Sequence, residues 1–437
     1  MNLILIPLFT LLTITDPVPK SVDLHLASDL DFLVEFYKER HINAEISLEE
    51  KETSAALAKE MRSIGYTVTE GVGGYGIVAM MENGPGPQIL YRTDMDALPM
   101  LEKTGLDYQS QLTTMWNGEE VGTMHSCGHD MHMTTWLGIA RAMAAMKDQW
   151  KGTLMFIGQP AEEIGAGAKM MLNAGLYDKF GVPDYGLALH CNSVLETGKI
   201  GIAEGYVLAN TESVDIVVKG IGAHGASPHQ SIDPVVVASL IVMDIQTIVS
   251  RNLKPIDDAV ITVGAIKGGT KHNIIPDEVT LQLTIRTYKE EVRKMIHQRL
   301  REISSGIAIA AGLPEELMPE VIIPEDFTPS TYNDPVLTER ITTSAQKAIG
   351  EDYVTYVEPT MGGEDFSCYG NTDHDVPTVM FWLGTVPPER YEQGALPGLH
   401  SPFYFPDPRP TIETGVKVGV QSLMDLMPVS DASDGGR

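Results

Sequence analysis

Four short apolar runs, each closing on or leading to a cluster of polar side chains, constrain the fold of this 437-residue chain more than any other feature. QILYR (88–92) runs into TDMDALP, GTLMFIG (152–158) into QPAEE, and YGLAL (185–189) into His190, while VPTVMFWLG (376–384) precedes LHSP (399–402). Continuous apolar runs of this length read as strands buried on both faces. Helical patterns lie around them, at Ser28–His41, Leu48–Ile64, Met131–Trp150 and Gly165–Leu176. Strands alternating with helices predict an α/β domain with a mostly parallel sheet flanked by helices. In such sheets a site forms beyond the carboxyl ends of the strands, which is where the polar clusters fall.

The stretch 209–325 has a different rhythm. SVDIVVKG reads as a strand, Asp233–Arg251 as a helix, AVITVGAI and EVTLQLTIR as two strands, Lys289–Ala311 as a helix and PEVIIP as a short strand. That β-α-β-β-α-β order is the ferredoxin-like split βαβ. It divides the α/β domain into 26–208 and 326–430 and leaves 1–25 as a possible leader. Within the leader, LILIPLFTLL (3–12) has the length of a signal h-region and is too short to span a bilayer. No Lys or Arg precedes it and no A-x-A site follows, so a buried N-terminal element is the other reading. GVGGYG (71–76) fits G-x-G-x-x-G, but the strand-like IVAMM follows where a dinucleotide site needs a helix. Those glycines read as a turn.

Lys and Arg number 31 against 59 Asp and Glu, a net charge of -28, which disfavours binding to nucleic acid. Most of that acid reads as solvated surface. Three cysteines are too few for a disulfide framework.

MHSCGHDMH (124–132) concentrates metal-binding residue types. Cys127 and His129, one residue apart, can turn toward one point, and thiolate with imidazole suits borderline metals. Glu162 and Glu163 follow a strand directly, so one can face a metal and the other the substrate; acids favoured at a helix N-terminus are the alternative. His190 ends its strand at the crevice, and His400 lies in a Gly/Pro-rich loop. Asp94 and Asp96 point to one side of their segment, unless they are turn-forming residues. Each feature alone has an ordinary explanation. Their coincidence at one crevice does not.

DMDALP, HSCGHDMH, GQPAEE, Leu189–His190, KGIGAHGASPH, GGTKHNIIPDEV, MGGEDF and LHSP stand in this order along the chain. With these motifs the chain resembles the aminoacylase/carboxypeptidase family of co-catalytic metallopeptidases from about His41 to the C-terminal helix. The nearest branch is that of N-acyl-amino-acid amidohydrolases, which includes hippurate hydrolases and plant indole-acetyl-amino-acid hydrolases. The resemblance implies two divalent ions per subunit, Zn²⁺, Mn²⁺, Co²⁺ or Ni²⁺, held by Cys127, His129, Glu163, His190 and His400. Cys127 would bridge them where other members use Asp, and Glu162 would be the general base. Asp96 and Asp130 would orient ligands or the following helix, and His125 receives no role. Ser126 departs from the Ala expected in relatives. The inserted domain would be a lid and dimerisation module, its His224 reaching the substrate carbonyl of the neighbouring subunit, with His229 as competitor. Asn273 and Arg286 would hold the substrate carboxylate, Arg bidentately.

The implied reaction is hydrolysis of an N-acetyl, N-benzoyl or indole-acetyl amino acid to a carboxylic acid and a free amino acid. Dipeptidase or carboxypeptidase action is the alternative within the family. A nucleophilic Cys127 with His125 or His129 as base would leave Glu162, Glu163, His190 and His400 idle. A non-catalytic metal scaffold would be marked by loss of the base, and Glu162 is present. The partners expected are a small-molecule substrate and a second copy of the chain, with no transmembrane span. The extra N-terminal length relative to such proteins tips the expected location toward the periplasm or exterior.

Overall fold

The computed structural model describes residues 20–394 and 396–429; the apolar run 3–12 lies outside the described residues. The four runs form strands Thr153–Gln159, Gln88–Asp94, Tyr185–Glu196 and Thr378–Val386, side by side in that order and all parallel. Antiparallel strands Ile77–Glu82 and Thr67–Glu70 extend one edge. Ile200–Ile202 and Val354–Tyr356 extend the other, completing eight strands. Helices Lys20–Ile42, His129–Ala145 and Pro408–Leu426 share a layer on the sheet, where Trp136, Phe156 and Val416 are buried. Trp136 Nε1 donates to the Tyr91 carbonyl at 3.0 Å, satisfying the one polar atom of that ring.

Two local expectations change. The first helix begins at Lys20 rather than Ser28, because Val22 and Leu26 bury one helical turn apart. Residues 20–25, grouped above with the leader, therefore belong to this packed helix. The glycines of 71–76 do form a turn between strands, and Gly73 is needed there. Its φ is +69°, and a Cβ would lie 2.5 Å from the Met170 backbone.

The insert is a four-stranded antiparallel sheet in the order Ala259–Gly268, Glu278–Thr287, Asn210–Lys219, Glu320–Ile322. Val214, Ile216 and Val218 alternate inward with Leu281, Leu283 and Ile285, and helices Pro234–Thr247 and Glu290–Ala310 cover that face. Asp233 caps the first of these helices through Val235 N–H, and Pro234 sits at its first position. Pro234–Asn252 is the one helix among the described residues long and apolar enough to cross a membrane. It instead packs Val237, Ile241 and Ile245 on the insert's sheet. Where the chain enters and leaves the insert, Gly205–Leu208 pairs with Thr331–Asn333.

Candidate metal centre

The carboxyl ends of the parallel strands and the base of the insert enclose a cleft of about 300 Å³. Cys127, Glu162, Glu163, His190 and His400 line it from the α/β side, and Thr211 and Arg286 from the insert. Cys127 occupies the turn before helix His129–Ala145, and Gly128 follows it at φ +85°. A Cβ there would press on Cys191 Sγ at 3.0 Å, so glycine lets the turn seat Cys127. His400 stands at φ +63°, its N–H bonded to the Ser126 carbonyl at 2.9 Å. Ala161, directly before the two glutamates, has φ +53°. Left-handed non-glycine residues are costly and persist where the surroundings hold them.

All five expected ligands converge. Cys127 Sγ lies 3.6 Å from His190 Nε2 and 3.3 Å from His400 Nε2. His400 Nε2 is 3.4 Å from Glu163 Oε2, and His129 Nε2 is 3.9 Å from Glu163 Oε1. Cys127 is shared by two donor triads, with His129 and His190 and with Glu163 and His400, each within 4.8 Å. His190 Nδ1–H donates to the Cys191 carbonyl at 2.8 Å, which leaves Nε2 as a lone-pair donor toward the cleft.

The donor set fits divalent cations on two grounds. His129 is fully buried, yet neither ring nitrogen completes a hydrogen bond among the described residues, and Glu163 Oε1 is likewise unpartnered. Buried polar atoms are rarely left so. Burial also raises the Glu163 carboxyl to about 7 and the Glu162 carboxyl well above the usual range, the latter helped by the charges of Glu364, Glu163 and Asp365. A site crowded with reluctant carboxylates calls for positive charge, and sulfur, imidazole and carboxylate together suit borderline metals.

The surrounding residues are placed as follows. Asp96 Oδ1 lies 3.4 Å from His129 Nδ1, while its Oδ2 accepts from Ser47 Oγ at 2.6 Å and Glu163 N–H at 3.0 Å. Asp130 serves the helix, accepting from Met131 N–H at 2.8 Å. Its other oxygen meets His41 Nδ1 at 2.6 Å rather than a ligand. His132 joins Asp94 to the Cys191 N–H. Arg286 donates to Thr211 Oγ1 at 2.6 Å and lines the cleft. His224 and Asn273 are not in this cleft. Both are exposed on a two-stranded ribbon of the insert, adjacent to each other through the His224–Ile274 pairing and the bond from Gly225 N–H to the Asn273 carbonyl at 2.9 Å.

Sequence reasoning assigned no role to Arg92, Glu364 or Asp365. Arg92 is fully buried in its strand and pairs with Asp94 at 2.7 Å, Glu364 at 2.8 Å and Asp365 at 3.2 Å. The signal was there: an arginine inside an apolar strand needs acids, and MGGEDF supplies them.

A buried, cation-demanding crevice at the ends of a parallel sheet suits metal-assisted hydrolysis. Residues 90–425 match the profile of Peptidase family M20/M25/M40, and the chain belongs to that family. It is 32% identical over 371 residues to the N-acetylcysteine deacetylase of Bacillus subtilis (strain 168), covering 83% of this chain and 90% of that one. It is 35% identical over 360 residues to thermostable carboxypeptidase 2 of Saccharolobus solfataricus (strain ATCC 35092 / DSM 1617 / JCM 11322 / P2), covering 81% and 86%. The crystal structure of the Bacillus subtilis YXEP protein, described as a dinuclear metal binding peptidase from the M20 family, superposes with a TM-score of 0.74 at 28% identity, covering 92% and 97%. The chain is thus a hydrolase of a dinuclear metal-binding family, a metal-dependent amidohydrolase.

Proposed function

We propose that this enzyme hydrolyses N-acyl amino acids, releasing a carboxylic acid and a free amino acid. The observation that carries the reading is Glu162 beside the converging donor set, in a cleft that also holds the Arg286 fork. Cys127 would bridge two ions, with His129 and His190 on one side and Glu163 and His400 on the other. Bound there, divalent ions supply Lewis acidity to the scissile carbonyl and acidify the attacking water. Glu162, at the cleft wall, takes the water's proton and passes it to the leaving amine; its raised affinity for protons suits the second half of that task. Arg286, lining the same cleft as the two glutamates, holds the substrate carboxylate and so orients the amide.

His224 completes the site from a second subunit. Its Nδ1 accepts the Ala226 N–H at 3.0 Å, which in the neutral ring leaves Nε2–H as a donor for a developing oxyanion. Asn273, next to it, would enter the neighbour's cleft with it. A dimer through the insert fits the exposed Val236, Leu240 and Met243, which make an apolar stripe along helix Pro234–Thr247. N-acetyl, N-benzoyl and indole-acetyl amino acids, set against a dipeptide, test the substrate class. Chelator-sensitive release of amino acid from the acylated set supports the proposal. Cleavage of the dipeptide alone would favour the carboxypeptidase alternative, which the similarity to the archaeal carboxypeptidase supports.

A further inference from the structure

Glu50 is wholly buried, although it stands at the N-cap of helix Lys51–Ser63, where a carboxylate would ordinarily face the free N–H groups. It makes no capping bond. That work is done by Glu45, whose carboxylate takes the N–H of Glu52 at 3.1 Å and of Thr53 at 2.7 Å. Glu50 turns inward instead. Its Oε1 accepts the N–H of Ala161 at 2.7 Å, across 111 residues of chain, and its Oε2 has no partner among the described residues. A buried carboxylate with an idle oxygen lowers stability, so folding alone does not account for it.

The bonded peptide belongs to Ala161, the left-handed residue directly before Glu162. The Ala161 carbonyl is also held, by the N–H groups of Ala166 at 3.2 Å and Gly167 at 3.1 Å. On the other side of Glu162, the Glu163 N–H is taken by Asp96 at 3.0 Å. Glu162 is therefore strung between two peptide N–H groups, each gripped by a buried carboxylate from another part of the chain. Asp96 also lies 3.4 Å from His129 Nδ1, whereas Glu50 has no bond to any proposed ligand side chain.

We infer that Glu50 is a positioning residue for Glu162: its acceptor oxygen fixes the strained Ala161 peptide and so aims the base into the cleft. The inference rests on the reading of Glu162 as general base. It requires the acceptor to be at the right distance, and it does not require the charge.

Two near-isosteric variants separate these requirements in the full-length, metal-loaded enzyme. Glu50→Gln keeps the acceptor in place without the charge, and Glu50→Asp keeps the charge but withdraws the acceptor by one methylene. The expected result is a kcat within about threefold of wild type for Glu50→Gln. Glu50→Asp should lose about tenfold or more in kcat at unchanged KM and unchanged metal content, as for supporting groups around a catalytic centre. Wild-type kcat in Glu50→Asp, or an equal loss in both variants, would overturn the inference. So would a loss that vanishes on saturating the enzyme with metal, since Glu50 would then be serving Glu163. Glu162→Gln run alongside separates the two levels. If it stays active, the base reading falls and takes this inference with it; if it is inactive while Glu50→Asp runs at full rate, only the role of Glu50 falls.

Discussion

Cys127 occupies both donor triads, so its removal loosens both proposed ion sites at once. Cys127→Ala should lower bound metal well below that of wild type, and Cys127→Asp should restore part of it, because a carboxylate can also donate to a divalent ion from this position. Metal analysis after dialysis measures this, and full occupancy in Cys127→Ala would exclude the bridge. The donors that converge on the cleft were legible as candidates where they close or neighbour a recognisable local pattern: a strand end for His190, adjacent acids after a strand for Glu163, an alternating Cys-x-His for Cys127 and His129. Arg92 inside an apolar strand signalled a need for acids, but which acid would meet it was not legible, since Glu364 lies 272 residues away. Glu50 was hidden for the same reason. A helix-start glutamate looks like a cap until its side chain is seen to turn inward. No local signal reports which distant peptide a buried carboxylate will meet.

Between elements, His41 at the end of helix Lys20–Ile42 ties that helix to helix His129–Ala145 through Asp130, and to the loop of Glu102 at 3.1 Å. Burial works against its charge, but the hydrogen bonds its ring donates to Asp130 and Glu102 prevail and raise it to about 9. Because the folded value lies above the unfolded one of about 6.5, the stability gained is complete below pH 6.5 and is lost as pH rises through 9. A shift of that size corresponds to about 3 kcal/mol. The stability difference between wild type and His41→Gln should therefore be larger at pH 6 than at pH 10, as read by urea unfolding. A difference independent of pH would mean that His41 is neutral in the fold. Element types and order followed from apolar periodicity, and the boundaries did not. The first helix ran further upstream than its strongest pattern because two well-spaced residues, Val22 and Leu26, suffice to bury a turn.

For the molecule as a whole, the insert places Arg286 in the cleft of its own chain and carries His224 away from it. That separation is what a site completed by a second subunit demands. On the proposed cross-subunit site, His224→Ala and Glu162→Gln should each be nearly inactive alone, and subunit exchange between them should recover activity, because one site per mixed dimer would then keep both residues. Leu240→Glu with Met243→Glu should yield monomers by light scattering and a parallel loss of turnover; fully active monomers would place the whole site in one chain. The division into two sheets was legible from the change of rhythm near Thr211. The docking of the insert was not, because it depends on how Gly205–Leu208 and Thr331–Asn333 pair. The most direct test of a two-ion amidohydrolase with a glutamate base is metal content measured together with turnover in wild type and Glu162→Gln. About two ions per chain in both, with turnover reduced by about 10² to 10⁴ in the variant, is the predicted result. Wild-type turnover in Glu162→Gln, or an active wild type that binds no metal, would contradict it.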